Sequence, residues 1–270
     1  MTPAPVAYKG VYPFSLACPS FVYPAGYAEN VRRLAPLVDE IELLLFESGP
    51  ERLPSAGEIG ALKTLGGSGA VAYNVHLPID VSIAAADRAE ARAAEKAIGE
   101  AVDRSRSLVP TSWTLHVPCD QPNGTRPSRI WEERVCRRLE RILAAHSLPP
   151  RSLALETLDY PPFFLYDIVE TLDCSVCLDI GHLAVKGYDS RAAFDLFRDR
   201  VAIIHAHGAS GAEDHLALDV LAAGRQQELL YMLSNFAGTL SLEVFSAEAL
   251  FASLDCLDRL WHTFQKTGNC

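Results

Sequence analysis

Long apolar runs are missing from this 270-residue chain. Although 49% of it is hydrophobic, no stretch approaches the ~18 residues of a membrane span. The opening "MTPAPVAYKG" lacks the basic and apolar regions of a secretion signal, so a cytoplasmic protein with no membrane association is expected. Positive charge is also scarce: 24 Lys and Arg face 34 Asp and Glu, a formal net charge of −10. Tight nonspecific binding to a polyanion rests on many cationic contacts, so nucleic acid is not an expected partner. The cysteines, at 18, 119, 136, 174, 177, 256 and 270, are odd in number and irregular in spacing. They make no disulfide framework, and free thiols are expected. "CSVC" (174–177) has redox-motif spacing but no second pair for a zinc site, and it falls in a strand-like run. No Gly-rich phosphate fingerprint follows the first apolar run, which speaks against a dinucleotide-binding open sheet.

What is present is a repeat of short apolar runs rich in β-branched and aromatic residues. Eight occur: "FSLACP" (14–19), "EIELLLF" (40–46), "AVAYNVHLP" (70–78), "SWTLHVP" (112–118), "SLALET" (152–157), "SVCLDI" (175–180), "VAIIHAH" (201–207) and "TLSLEVF" (239–245). Near-continuous apolar character is what parallel strands covered on both faces require. Helical patterns lie between them. Residues 26–38 space Tyr27, Val31, Leu34 and Leu37 helically, and 84–107 is Ala-rich with interspersed Arg and Glu. Residues 129–145 put Ile130, Val135, Leu139 and Leu143 on one stripe, and 246–265 carries Leu250, Leu254, Leu257 and Trp261. Eight βα units without a composition break predict a single α/β domain over 1–270, a closed (β/α)8 TIM barrel. The loops at 118–128 and 207–215 are the expected mobile segments.

The titratable residues are unevenly placed on this pattern. Of eight histidines, five fall at or just after the carboxyl ends of expected strands: His76, His116, His182, His205 and His207. His215 follows in the loop after the seventh strand, whereas His146 and His262 fall in helices. Glu156, Asp179 and Glu243 end the fifth, sixth and eighth strands, and Glu42 lies in the second. Singly, each reads as a hydrogen-bonded rim residue. Barrel strands converge at their carboxyl ends on one mouth, however, and unrelated structural residues have no reason to gather there. Imidazoles mixed with carboxylates suit divalent Zn, Mn or Fe. Glu42 could ligate, touch substrate, or pair with a cation below the mouth.

The order His76, His116, Glu156, Asp179-x-x-His182, His205, His215 and Glu243 resembles the endonuclease IV and xylose-isomerase-like barrels, over nearly the whole chain. The resemblance implies that these eight residues are metal ligands, for two transition-metal ions per chain, with Glu156 bridging. Two departures stand out: His207 occupies a usual Asn position, and Glu213 a usual Asp position, leaving open whether Glu213 or Asp214 ligates. A narrower similarity, in "FVYPAGYAENVRRLAPLVDEIELLLFES" (21–48) and "YNVHLPIDVS" (73–82), is to the cobamide-remodelling phosphodiesterases. It implies hydrolysis of the nucleotide loop of a corrinoid substrate to a cobinamide phosphate and a riboside. Glu156 or Glu243 would then activate water, His207 would protonate the leaving oxygen, and Phe21, Tyr23, Tyr27 and Glu42 would contact substrate. The alternative is a metal-dependent isomerase or epimerase of a sugar or sugar phosphate, with Glu156 and Glu243 on opposite faces of an enediolate.

Overall fold

Backbone pairing closes the eight expected strands into one parallel barrel in this computed structural model, which describes residues 8–67, 69, 71–121 and 123–267. In chain order the strands are β1 (Ser15–Pro19), β2 (Glu40–Leu44), β3 (Ala72–His76), β4 (Trp113–His116), β5 (Leu153–Glu156), β6 (Ser175–Asp179) and β7 (Val201–Ala206). A short hairpin, β8 (Gly208–Ser210) and β9 (Glu213–Leu216), precedes the last barrel strand, β10 (Thr239–Leu242). Each barrel strand pairs with its neighbour in sequence, and β10 closes on β1. The fold is therefore the TIM barrel that the spacing predicts.

The near-continuous apolar runs have the physical origin expected of them, because almost every strand residue is buried. Leu16, Ile41, Leu43, Val75, Leu115, Leu155, Leu178, Ile204 and Leu240 belong to the main core, with the helices. Alternate positions carry Glu40, Glu42, Asn74, His76, Thr114, Glu156, Asp179, His205, Thr239 and Ser241, all buried polar residues. Ala154, Cys177 and Ile203 form a small separate apolar cluster. Both cysteines of "CSVC" are buried and free, which leaves the motif a strand feature; Cys270 lies outside the described residues.

The helices are α1 (Tyr27–Leu34), α2 (Ala56–Gly67), α3 (Arg88–Ser105), α4 (Arg129–Ala145), α5 (Tyr166–Leu172), α6 (Ile180–Lys186), α7 (Ser190–Phe197), α8 (Ala223–Leu233) and α9 (Ala247–Thr267). In α4, Ser128 caps the start and Val135, Leu139, Ile142 and Leu143 are buried. Each such side chain contributes roughly 1.5–3 kcal/mol by leaving water. Ile130 does not join that stripe: it is 73% exposed, in the first helical turn. The 207–215 segment contributes to a hairpin. It carries β8 and most of β9 and turns at Gly211, whose φ of 63° suits glycine. No helix among the described residues is long and apolar enough to cross a membrane.

Candidate metal centre

His76, His116, Glu156 and Asp179 are the last residues of β3, β4, β5 and β6. His205 is the second-last residue of β7, His207 and Glu243 directly follow β7 and β10, and His215 lies on β9. Barrel closure brings all of these to one mouth. Glu156 is the hub: His76 Nε2 and His116 Nε2 each lie 3.1 Å from its Oε2, and His182 Nδ1 lies 3.4 Å from its Oε1. His205 Nδ1 is 3.0 Å from Glu243 Oε2, 3.8 Å from Asp179 Oδ2 and 3.9 Å from Glu156 Oε1.

The "LDIGH" stretch is built by helix capping. Asp179 is the N-cap of α6, accepting the His182 backbone N–H at 2.7 Å, so a helix starts directly at the end of β6. One helical turn then places the His182 ring 3.5 Å from the same carboxylate. Gly181 is required by close approach: a Cβ there would meet the His207 ring at 1.9 Å. His207 is fully buried, with Nε2 3.2 Å from Asp179 and Nδ1 accepting the His215 backbone N–H at 2.8 Å. Its Nδ1 is therefore the unprotonated nitrogen, and Nε2–H donates to Asp179. That arrangement holds Asp179 in place and leaves the ring no proton aimed at a substrate, which corrects the acid role expected of it. His215 itself has φ 54°, a backbone strain that packing sustains by stacking its ring on His207, with centroids 4.2 Å apart.

Asp214, and not Glu213, faces this cluster. Its Oδ1 lies 2.8 Å from His215 Nδ1 and its Oδ2 3.9 Å from His182 Nε2, whereas Glu213 is exposed. Of the roles open to Glu42, the structure shows the pairing below the mouth. It is fully buried, accepting from His205 Nε2 at 2.9 Å and from the Ser241 hydroxyl at 2.6 Å, so it supports the site from behind His205. Ser241 was invisible in the sequence, where a lone serine in a strand carries no signal. Of the aromatic candidates, Phe21 and Tyr27 line one cavity beside the mouth. Tyr23 does not; it packs against the core with Arg33 over its ring at 4.8 Å. His146 pairs with Asp103 and His262 with Asp258, both away from the mouth.

Charge balance in the cluster follows from these distances. Burial alone would raise Glu156, but the His116, His182 and His76 imidazoles outweigh it and hold the carboxyl well below its ordinary value. Glu243 is held low in the same way, against burial, by His205 and His215. Conversely, burial would lower His182, yet Asp179 and Glu156 push it up to about 10. His215 is pushed up to about 9, against burial, by Glu243 and Asp214.

Three buried atoms in this network have no hydrogen-bond partner: Glu156 Oε1, His205 Nδ1 and Glu243 Oε2. His205 Nδ1 and Glu243 Oε2 sit 3.0 Å apart without an aligned hydrogen bond. An unpaired buried polar atom costs ~1–3 kcal/mol, so three converging on one point call for a shared partner. A carboxylate–imidazole set of this kind fits a divalent transition metal. The ring orientation fits as well: with Nε2 directed to Glu42, Nδ1 is the nitrogen on which a bound ion would replace a proton. His76, His116 and Glu156 are a further group whose ligand atoms lie within 4.8 Å of one another.

No protein-family model matches the chain, and no curated protein matches it at a significant level. Solved structures do match in fold. A D-tagatose 3-epimerase-like protein has a TM-score of 0.75 at 18% identity, covering 94% of this chain and 99% of that one. D-Psicose 3-epimerase with D-tagatose from Clostridium cellulolyticum gives 0.73 at 14%, covering 92% and 99%. Endonuclease IV from Thermus thermophilus gives 0.70 at 17%, covering 93% and 100%. The fold is thus that of the xylose-isomerase-like barrels. Most of these neighbours are sugar epimerases, which overturns the expectation of a cobamide phosphodiesterase and of a corrinoid substrate. The rim histidines and acids belong to a scaffold that several chemistries share, so a similarity carried by them does not single out one substrate.

Proposed function

We propose that the chain is a metal-dependent isomerase or epimerase of a sugar or sugar phosphate. The observation that carries this reading is the pair of unpartnered carboxylate oxygens, Glu156 Oε1 and Glu243 Oε2, that converge beside His205 from β5 and the end of β10. Glu156, Asp179, His205 and Glu243 would hold one divalent ion, and a second would fall to His76, His116 and Glu156 Oε2. Such an ion, when bound, supplies Lewis-acid stabilisation of the negative oxygen that forms as a C–H bond beside a carbonyl ionises.

The proton movements belong to the two glutamates. One carboxylate takes the proton from the carbon beside the carbonyl, and the C–H electron pair shifts to form an enediolate. The other, which is ionised in the metal-free site and must first take up a proton, returns it to the opposite face, which inverts that carbon. Delivery to the neighbouring carbon instead moves the carbonyl and gives the isomer. Burial keeps water from competing for the enediolate, as Glu156, Asp179, His205 and Glu243 are all at most 2% exposed. Positioned acid–base pairs of this kind supply about 10²–10⁴-fold in rate. Proteins of the same fold named for 3-epimerase activity on tagatose and psicose support the reading.

Deuterium exchange tests it. Mn²⁺-loaded protein in D₂O with D-tagatose, D-fructose or D-psicose is expected to place deuterium beside the carbonyl and to yield the epimer. Glu156→Gln and Glu243→Gln should each lose epimer formation. Absence of exchange across these ketoses and their phosphates would sink the proposal.

A further inference from the structure

Beside the metal-ligating cluster lies a cavity of ≈ 490 Å³, walled by Phe21, Tyr27, Phe46 and Phe245. Two of these rings also touch the cluster. Phe46 meets His76 edge-on with centroids 4.8 Å apart, and Phe245 stacks on His215 at 4.9 Å. Phe46 and Phe245 are 6.2 Å apart, so one aromatic wall runs unbroken from the candidate ligands into the cavity. Tyr27 presents only its ring, because its hydroxyl donates to the Leu44 carbonyl at 2.9 Å. The charged pair at the cavity, Arg52 and Glu47, neutralises itself at 3.0 Å. Phe21 is 61% exposed and Phe245 38%, an apolar surface left in water at the edge of a polar mouth.

We propose that this cavity is a subsite for a planar apolar ring carried by the substrate, whose polar end reaches the His/Glu cluster. The inference rests on the reading of that cluster as the reaction site. The cavity's size falls in the ~300–1,000 Å³ range of small-molecule pockets. Its walls suit a flat ring, since aromatic faces prefer offset or edge-on partners. Few hydrogen-bonding groups remain for a hydroxylated sugar: the tyrosine hydroxyl is taken and the two charges are paired. The substrate class is accordingly a sugar with an aryl or flat heterocyclic substituent at the end remote from its carbonyl.

The test compares D-tagatose with 6-O-benzyl-D-tagatose on Mn²⁺-loaded protein, with benzyl alcohol as a probe of the ring alone. The benzyl ketose is expected to bind at least tenfold more tightly than D-tagatose. Phe21→Ala should abolish that advantage and leave Mn²⁺ affinity unchanged, while Phe21→Trp should retain it. Equal binding of the two ketoses to the unaltered protein overturns the subsite. If neither ketose binds, saturation-transfer NMR with benzyl alcohol separates the two readings. Contact that Phe21→Ala removes keeps the subsite and discards the sugar chemistry; no contact discards both.

Discussion

Both ends of the barrel bury carboxylates, but in opposite company. Near the amino ends of the strands, Glu40 is 1% exposed and receives Asn74 Nδ2 at 2.8 Å, the Thr239 hydroxyl at 3.0 Å and the Thr111 hydroxyl. All of those donors are neutral, and burial raises the Glu40 pKa despite them. At the carboxyl ends, Glu156 and Glu243 are equally buried, yet imidazoles hold both well below the ordinary carboxylate value. Burial is therefore common to the two acids, and charge of the neighbours decides the difference. An acid ringed by hydroxyls and amides is a structural plug. An acid ringed by histidines, with oxygens still unpaired, is set up to bind a cation.

The largest effects should come from removing an acid at the mouth. Glu243→Gln is expected to lower kcat by about 10²–10⁴-fold with the far-UV circular dichroism unchanged. If activity survives, the contrast between the two ends has no functional content. Second in size is Glu42→Leu, which takes away the acceptor that orients His205 with Nδ1 towards the cluster. Calorimetric titration should show Mn²⁺ affinity falling by about 10–100-fold, as for other groups that orient metal-bound histidines.

The pH dependence of metal binding gives a third, smaller effect. At pH 7 the metal-free protein carries protons on His182 and His215, whose pKa values are pushed up to about 10 and about 9. A divalent ion among the same carboxylates opposes those charges and expels protons, so apparent affinity should rise as pH climbs from 7 towards 9. Titrations in buffers of different ionisation enthalpy would count the protons released, and a count of zero would contradict the charge balance described above. The smallest effect is at the other end. Because the Glu40 pKa is raised in the folded state, its contribution is present below the ordinary value of 4.5 and lost as pH rises through the raised one. Glu40→Gln cannot ionise, so its denaturation midpoint should change less across that window than that of the unaltered chain, with Mn²⁺ affinity untouched.

How much of this was legible in the chain differs between fold and site. The eight strands could be read because buried parallel strands need apolar residues at nearly every position, and 175–179 or 239–242 can hardly do anything else. The short helices α5, α6 and α7 gave no comparable signal; α6, of seven residues, is set by the Asp179 cap more than by any apolar stripe. The gathering of His76, His116, Glu156, Asp179, His182, His205, His215 and Glu243 was legible from their place at strand ends. The parts played by Glu42, His207 and Asp214 were not, since each depends on which neighbour a side chain meets across the barrel. The similarity in the first fifty residues misled for a related reason: the part of it that reaches the site, Phe21, Tyr27, Leu44, Phe46 and Glu47, lines a cavity beside the cluster and does not itself fix the chemistry performed there.

By itself, then, the sequence determined the barrel and the identity of the side chains at its mouth, because strand burial and strand-end position are local patterns written every 22 to 41 residues, a spacing of roughly one βα unit. The tertiary structure alone decided which acids are structural and which are poised for a cation. That choice depends on electrostatic partners from strands as distant in the chain as Glu42 and His205, 163 residues apart and brought to 2.9 Å only when the barrel closes.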